Sequence, residues 1–395
     1  MFVYADNAAT TCVSTAALNA MLPYLTNQYG NPSSLYSIGQ EAREAVEQAR
    51  KKVAQCIGAE SREIYFTSGG SEADNQAIRS AAKAGARKGK RHLISTVFEH
   101  HAVLHTLKQL EKEGFSVTLL PVHEEGIVRL EDLEDAICED TALVSIMFAN
   151  NEIGTIQPVA EIGALCREKG IPFHTDAVQA AGHVPVDVGT MQIDMLSLSG
   201  HKFHAPKGIG ALYAKRSQPL SSLIEGGGQE RGKRAGTENV AGIAALAAAL
   251  QESCAHMEAN TLKILSMREK LISALCRIPH SVLNGNMEHH MPGTINMCFE
   301  GIEGSNLLLL LDQKGICASS GSACNSGSLD PSHVLLSLGI PYEVAHGSLR
   351  LSIGEYNTPE EIDYLSREIP EAIAALRSSS PLWEAMECGQ KPHLI

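Results

Sequence analysis

The sequence lacks the features of a membrane protein, an exported chain or a nucleic-acid-binding protein. Its first residues, MFVYADNAATT, contain no basic stretch followed by a long apolar run, and no later window approaches about 18 uninterrupted apolar residues. The net charge of -13 and the dispersed lysines and arginines would repel a phosphate backbone. We therefore expect a cytoplasmic protein with no membrane and no nucleic acid among its partners.

The sequence also lacks any C-x-x-C pair, although it contains 10 cysteines. The zinc-ribbon and thioredoxin interpretations therefore lose support, and no intrinsic metal site is predicted. In a large chain without a secretion signal, thiols are expected to stay reduced and mostly to pack as small apolar side chains. A cysteine with a special role must be recognised by its surroundings.

The length of 395 residues, with 44% hydrophobic and 19% charged residues, indicates a globular protein with more than one core. From about residue 40 to 255, helical periodicity alternates with short apolar runs. These runs are predicted strands, beginning at Ile64, His92, Ser116, Ala142, Ile171, Met195 and Gly208. The alternation predicts an α/β fold with a mostly parallel, doubly wound sheet.

The pattern changes near residue 256, where a long polar helix is predicted, followed by a strand from Thr294, a helix from Gly304 and a strand from Leu349. We predict a large domain over residues 15–255 and a smaller α+β domain formed by residues 1–14 and 256–395. The segment SSGSACNSGSLDP, from Ser319, contains almost only small and turn-forming residues. It is expected to be a mobile loop that carries Cys324.

The most informative stretch, SGHKFHAPKG, surrounds Lys202 and directly follows a predicted strand. Desolvation lowers the pKa of a lysine and makes its neutral amine available to form a Schiff base with an aldehyde cofactor. Asp176 ends the strand IPFHTD, at the sheet edge where ligands bind. Its carboxylate would suit the pyridinium nitrogen of pyridoxal phosphate, and Gln179 the ring hydroxyl. A surface lysine and a helix N-cap are the alternatives.

A strand, a glycine turn and a helix N-terminus follow one another in TSGGSE, at residues 67–72. Backbone N–H groups and the helix dipole would face a phosphate there. The turn is a weak signal alone and a more specific one together with Asp176 and Lys202. The segment SGHK from Ser199 also matches S-x-x-K, a serine-nucleophile pattern, but the chain has no K-T-G and the motif follows a strand.

With these residues in place, the chain resembles the cysteine desulfurases of the NifS/IscS type, fold-type I pyridoxal-phosphate enzymes related to class V aminotransferases. The resemblance covers nearly the whole chain and is carried by ADNAATT, GNPSS, TSGGSEADN, EHHAVL, ANNEIGTIQP, FHTDAVQAAG, LSGHKFHAPKGIGALY, GGGQERGKRAGTEN and SSGSACNSGSLDPSHVLL. It implies conversion of L-cysteine to L-alanine, with the sulfur taken up as a persulfide on Cys324. The sulfur would then supply iron-sulfur cluster assembly, for nitrogenase or for general use.

The resemblance implies a role for each matching residue. Lys202 matches the Schiff-base lysine, Asp176 the pyridinium partner and His100 the histidine stacked on the ring, a plausible proton shuttle. Gln179 and Asn151 match residues near the ring hydroxyl and the substrate carboxylate. Further matching positions, which bind the phosphate, are Gly70, Ser71, Ser199 and His201.

Other matching residues extend the site to the substrate and to partners. Arg350 matches the arginine that grips the substrate carboxylate, a task suited to its guanidinium fork. Thr237 matches a residue that reaches the phosphate from the other subunit, which implies a homodimer. An iron-sulfur scaffold protein is the expected sulfur acceptor, and Cys324 is a candidate ligand of the nascent cluster.

Some features depart from the family or leave alternatives open. Ser71 stands where the family often has threonine and keeps the hydroxyl, whereas Glu355 stands where many members have arginine. Cys317 is expected in the core, and the last residues of the chain are expected to fray. An aminotransferase or a selenocysteine lyase on the same fold, and a non-catalytic scaffold, are the alternative functions.

Overall fold

The computed structural model describes residues 1–320, 330–389 and 392–394. Cys324 and most of the predicted loop around it lie outside the described residues. The strands in this part of the chain are β1 (Val3–Tyr4), β2 (Ile64–Thr67), β3 (His92–Thr96), β4 (Ser116–Leu120), β5 (Thr141–Ser145), β6 (Phe173–Asp176), β7 (Met195–Ser199), β8 (Gly210–Ala214), β9 (Ser281–Leu283), β10 (Thr294–Phe299), β11 (Ile316–Cys317) and β12 (Ser348–Ser352). The helices are α1 (Thr15–Thr26), α2 (Ser37–Cys56), α3 (Gly70–Ala86), α4 (His101–Lys112), α5 (Leu130–Ala136), α6 (Val159–Glu168), α7 (Gln229–Gly232), α8 (Val240–Leu275), α9 (Gly304–Gln313), α10 (His333–Ser337), α11 (Tyr342–Ala345), α12 (Pro359–Arg377) and α13 (Pro381–Glu387).

The largest sheet in the described chain has seven strands, in the order β2-β8-β7-β6-β5-β3-β4. Each predicted strand of the large domain is one of its members. Within this sheet β8 runs antiparallel to both neighbours, and every other pair is parallel. The prediction of a mostly parallel α/β sheet is therefore confirmed.

Helices cover both faces of this sheet. One hydrophobic core joins the sheet to α2, α6 and the first half of α8, and another joins the opposite face to α3 and α4. Every residue of β3, β5, β6 and β7 is buried. Burial on both faces explains why these strands appear in the sequence as short continuous apolar runs.

The 36-residue helix α8 crosses the predicted domain boundary at residue 255. Its first half packs against α1 and α2, and its second half adds Ile264, Met267 and Leu271 to a separate core. By length and composition alone α8 could span a membrane, but half of its apolar window is buried inside the fold. Such burial is what a core helix of a globular protein shows. The domain division stays a prediction, with its boundary inside α8.

The separate core contains Val3, Ala5 and side chains from α8, α9, α12 and the antiparallel sheet β12-β10-β9. The N-terminal segment runs from this core to the large sheet: Ala5 accepts a hydrogen bond from the Ser352 amide at 2.7 Å, and the Ser14 amide donates to the His204 carbonyl at 3.0 Å. This segment therefore lies between β12 and the turn that carries Lys202. The C-terminal residues are also held, because the Leu394 amide donates to Glu300 at 3.0 Å.

Candidate active site

Asp176 and Lys202 lie at the carboxyl ends of adjacent parallel strands. Asp176 ends β6, and Lys202 closes the 3₁₀ turn Gly200–Lys202 that follows β7. The Asp176 side chain is buried, and its Oδ1 accepts a hydrogen bond from the Val178 amide at 2.9 Å. Burial raises the pKa of Asp176 to about 6, against the opposing effect of the Lys202 charge. Asp176 is therefore an anion at neutral pH, suited to a cationic ring nitrogen.

The N-terminal segment supplies acceptors for the Lys202 amine. Lys202 Nζ donates to the carbonyl oxygens of Ala8 at 2.5 Å and Ala9 at 3.0 Å. Gln179 Nε2 donates to the same Ala8 oxygen at 3.0 Å, and His183 Nε2 donates to the Lys202 carbonyl at 2.9 Å. The lysine is thus held at both its backbone and its amine, and Gln179 shares the Ala8 acceptor with it.

The N-terminus of α3 forms an open cradle beside these strand ends. Its N-cap is Gly69, and no described side chain caps the helix. A Cβ at Gly70 would lie 2.5 Å from Val178 Cγ2, so glycine allows the helix to begin this close to β6. A Cβ at Gly69 would lie 3.7 Å from Ser199 Oγ, which places the buried Ser199 beside the cradle. Uncapped N–H groups at a helix N-terminus are suited to a phosphate.

Two histidines of this region are neutral. His100 is the N-cap of α4, and its Nδ1 accepts a hydrogen bond from the Ala102 amide at 3.1 Å, which leaves the proton on Nε2. Burial, followed by the charge of Lys202, lowers the pKa of His100 to about 4. The same two causes lower the pKa of His201 to about 4, and its Nδ1 lies 3.2 Å from the Thr10 hydroxyl.

A second group of predicted residues surrounds Arg350 on β12. The buried Arg350 donates from Nη2 to Asp6 Oδ1 at 2.9 Å and from Nη1 to the Asn151 carbonyl at 3.0 Å. Among the described residues Nε has no partner, so one buried donor remains for a carboxylate. Because Asp6 binds Arg350 while Ala8 and Ala9 bind Lys202, the N-terminal segment brings the two groups together.

Sequence reasoning missed three acidic residues of the site. Asp6 orients Arg350, and its signal was the motif ADNAATT, to which no role was given. Asp74 and Glu99 lie fully buried near Asp176; burial, with the Asp176 charge, raises the pKa of Asp74 well above its usual range, and burial raises that of Glu99 to about 8. Both shifts favour the protonated form of these two acids.

The remaining predicted residues lie outside this hydrogen-bonded site. Ser71 is exposed in the first turn of α3, and Thr237 is exposed between α7 and α8. No hydrogen bond joins Thr237 to the site within the part of the chain that the structure describes. Cys317 is half-buried in β11, where it pairs with Tyr4. The described residues contain no group of three or more side chains that could hold a metal ion, and Cys324 is not among them.

The family model "Aminotransferase class-V" matches residues 3–365, so the chain belongs to the class V aminotransferase family. Within that family it is a cysteine desulfurase of the NifS/IscS type by similarity to curated relatives. "Cysteine desulfurase IscS" of Clostridium botulinum strain Hall is 56% identical over 385 residues, which cover 97% of each chain. "Cysteine desulfurase IscS" of Methanosarcina thermophila is 54% identical over 380 residues, covering 96% of this chain and 94% of the relative.

Solved structures show the same fold. A structure named "NIFS-LIKE PROTEIN" matches with a TM-score of 0.90 and 40% identity, covering 95% of this chain and 100% of the other. A second, "SspA in complex with cysteine", matches with a TM-score of 0.79 and 37% identity, covering 90% and 99% of the two chains. The predicted fold and family are therefore confirmed.

Proposed function

We propose that this enzyme uses pyridoxal phosphate to convert L-cysteine to L-alanine and transfers the sulfur to Cys324. The placement of Lys202 and Asp176 at adjacent strand ends, beside the uncapped N-terminus of α3, supports the cofactor most strongly. Lys202 would hold its aldehyde, Asp176 its ring nitrogen and the α3 cradle its phosphate. When bound, pyridoxal phosphate supplies a ring that accepts the electrons released at the substrate Cα.

The protein side chains would bind the substrate and move its protons. Arg350, already aligned by Asp6, would bind the L-cysteine carboxylate through its unused Nε and its terminal nitrogens. Lys202 Nζ would take the Cα proton after leaving the Ala8 and Ala9 carbonyls. His100, which is neutral and carries its proton on Nε2, would be a proton donor near the lysine.

In the sulfur-transfer step the Cys324 thiolate would attack the substrate sulfur. The Cβ–S bond breaks, an S–S bond forms, and the electron pair of the broken bond goes to the carbon that becomes the alanine methyl group. No external oxidant is needed. The names of the curated relatives support the substrate and the reaction, and a neighbour named for its complex with cysteine supports the ligand.

We further propose a cytoplasmic homodimer in which Thr237 reaches the phosphate of the partner site. Thr237 is exposed in the single chain, as such a role requires. The persulfide sulfur would pass to an iron-sulfur scaffold protein, with Cys324 a ligand of the nascent cluster. The names of the IscS-type relatives support this destination.

The experiment that tests this proposal compares wild type with Cys324→Ala and with the control Cys276→Ala, which changes an exposed thiol. Each protein receives pyridoxal phosphate and L-cysteine, and alanine, sulfide and the protein mass are measured. We expect a Cys324 persulfide in wild type and in the control, and a loss of sulfur transfer by about 10³-fold in Cys324→Ala. Unchanged sulfur transfer in Cys324→Ala, or pyruvate as the product, would sink the proposal.

A further inference from the structure

His204, two residues after Lys202, adopts a backbone conformation that side chains disfavour. Its φ is +68°, in the left-handed region that residues with a Cβ rarely occupy. Such a conformation persists only where surrounding contacts impose it. The contacts of His204 therefore help to fix the turn that carries the lysine.

The backbone of His204 is bound to the N-terminal segment. Its amide donates to Thr11 Oγ1 at 2.8 Å, and its carbonyl accepts from the Ser14 amide at 3.0 Å. The Thr11 amide and hydroxyl donate in turn to the His201 carbonyl, at 2.9 and 3.0 Å. The segments on either side of Lys202 are thereby joined to the chain that also accepts its Nζ.

The His204 ring lies between two acceptors. Nδ1 donates to the Cys12 carbonyl at 2.9 Å, and Nε2 lies 3.0 Å from Glu355 Oε1. The second contact is an ion pair at hydrogen-bond distance. A carbonyl and a carboxylate can only accept, so protons on both ring nitrogens, and hence an imidazolium, satisfy this arrangement.

Other groups around the ring favour the same charge. Glu252 on α8 adds negative potential, and the Tyr356 ring packs edge-on at 5.0 Å. Burial alone would lower the pKa of His204, but Glu355 raises it above its ordinary value. Burial likewise opposes the ionisation of Glu355, yet His204 lowers the pKa of that carboxyl to about 2. His183, on the other side, is a neighbour of both and has a lowered pKa, chiefly through burial.

Glu355 connects this turn to β12. It follows the strand that carries Arg350, and its carbonyl accepts from Lys263 Nζ on α8 at 2.5 Å. Ser352, at the end of β12, also binds the N-terminal segment, through its hydroxyl to the Ala8 amide at 2.8 Å. The ion pair is thus a side-chain contact between the Lys202 turn and the segment that follows β12, the strand of Arg350.

We propose that the Glu355–His204 ion pair is a positioning device that holds the Lys202 turn in register with β12. This proposal rests on the proposed function of Lys202 and Arg350. An arginine at position 355 would place a second cation against the His204 imidazolium. The side chains of the pair contact neither the Lys202 amine nor the Arg350 guanidinium, so the pair acts through the backbone of the turn.

The pH dependence of the pair follows from the directions of its two pKa shifts. The raised pKa of His204 gives stability that is complete below the ordinary histidine value and is lost as the pH rises through the raised value. The lowered pKa of Glu355 gives stability that is lost only as the pH falls towards about 2. The pair therefore weakens as the pH rises above the ordinary histidine value, and it persists on the acid side until the pH approaches about 2.

The test compares wild type, Glu355→Gln, Glu355→Arg and the control Glu258→Gln, which changes an exposed glutamate of α8. kcat and KM for L-cysteine are measured from about pH 6.5 to 8.5, as ratios to wild type, so that titration of the substrate cancels. We expect kcat to fall about tenfold in Glu355→Gln and further in Glu355→Arg, with KM within about twofold, because the Lys202 turn shifts while Arg350 is intact. The control should match wild type.

A second measurement does not depend on turnover. Thermal unfolding of each full-length protein is followed with and without pyridoxal phosphate, and ¹⁵N spectra of the histidine rings report the charge of His204. We expect two protonated ring nitrogens at neutral pH in wild type, one in Glu355→Gln, and a stability difference between them that shrinks as the pH rises. The double variant His204→Gln/Glu355→Gln should lose less than the sum of the single changes.

Two results would overturn the proposal. One is a neutral His204 ring in wild type. The other is a Glu355→Gln protein that is less stable but keeps the wild-type kcat, since the pair would then only stabilise the fold. If wild type itself releases no sulfur from L-cysteine, the proposed function fails, while the ring spectra and unfolding curves still decide whether the ion pair exists.

Discussion

The two sides of the Lys202 turn differ in the charge of their histidines. Burial, followed by the charge of Lys202, lowers the pKa values of His100 and His201 to about 4, so both rings are neutral. His204, towards β12, has a pKa raised by Glu355, whose Oε1 lies 3.0 Å from Nε2. Burial lowers the pKa of all three, so burial does not decide the difference. The difference comes from the Glu355 carboxylate, whose Oε1 lies 3.0 Å from His204 Nε2.

The neutral histidines are suited to a part in the reaction, whereas the charged histidine is suited to holding the turn in place. Neutral histidines beside the cofactor site can donate or accept single hydrogen bonds without adding positive charge near Lys202. A charged histidine on the far side forms a fixed ion pair with a neighbouring element. Single substitutions can change the neutral side or the charged side of the turn separately.

The largest effect is expected from Lys202→Ala. Removing the amine removes both the cofactor linkage and the base for the Cα proton, so kcat should fall by about 10³-fold or more. Alanine formation from L-cysteine and the visible spectrum of the cofactor check this. Lys207→Ala, an exposed lysine in the same loop, is the matched control and should keep wild-type activity. A Lys202→Ala protein within tenfold of wild type would show that another group is the base.

Local sequence pattern is enough to predict the sheet, and it makes Asp176 and Lys202 candidates for the site. The strand runs are short, apolar and bounded by polar or glycine-containing segments, because strands buried on both faces tolerate little else. Asp176 and Lys202 could be proposed because Asp176 ends one such run and Lys202 lies in the short turn after another. The antiparallel direction of β8 could not be assigned, since an apolar run is the same in both directions.

The rest of the site depends on contacts between distant segments. The pairs Asp6–Arg350 and Glu355–His204 join residues that are far apart in the sequence, and no periodicity encodes such pairs. The continuity of α8 was missed for a related reason. Its first half faces one core and its second half another, so the composition changes while the helix does not. The held C-terminal residues were missed because Glu300, their acceptor, is far away in sequence.

Asp176→Asn should produce the second largest effect, again on the side of the cofactor. The amide cannot pair with a cationic ring nitrogen, so kcat should fall by about 10²-fold and cofactor affinity should weaken. In wild type the carboxylate is the form present above its pKa of about 6, and the acid is the form below it. Cofactor uptake by the cofactor-free chain should therefore decline as the pH falls through about 6, and Asp176→Asn should lack this step. Equal pH dependence of uptake in the two proteins would contradict the role of Asp176.

His201→Asn should produce the smallest effect and separates the two sides most sharply. The ring of His201 is neutral above a pKa of about 4, so the variant loses a hydrogen bond and no charge. One such bond contributes about 1 kcal/mol, which corresponds to a roughly fivefold weaker affinity for pyridoxal phosphate. Because no group titrates at this position, the ratio of the cofactor affinities of His201→Asn and wild type should stay constant from about pH 6.5 to 8.5. The stability difference between Glu355→Gln and wild type should change over the same range. Equilibrium titration of His201→Asn with pyridoxal phosphate and thermal unfolding of Glu355→Gln, each at several pH values beside wild type, measure the contrast. A pH-dependent loss in His201→Asn would mean that this histidine carries charge, and the distinction between a neutral and a charged side of the turn would fail.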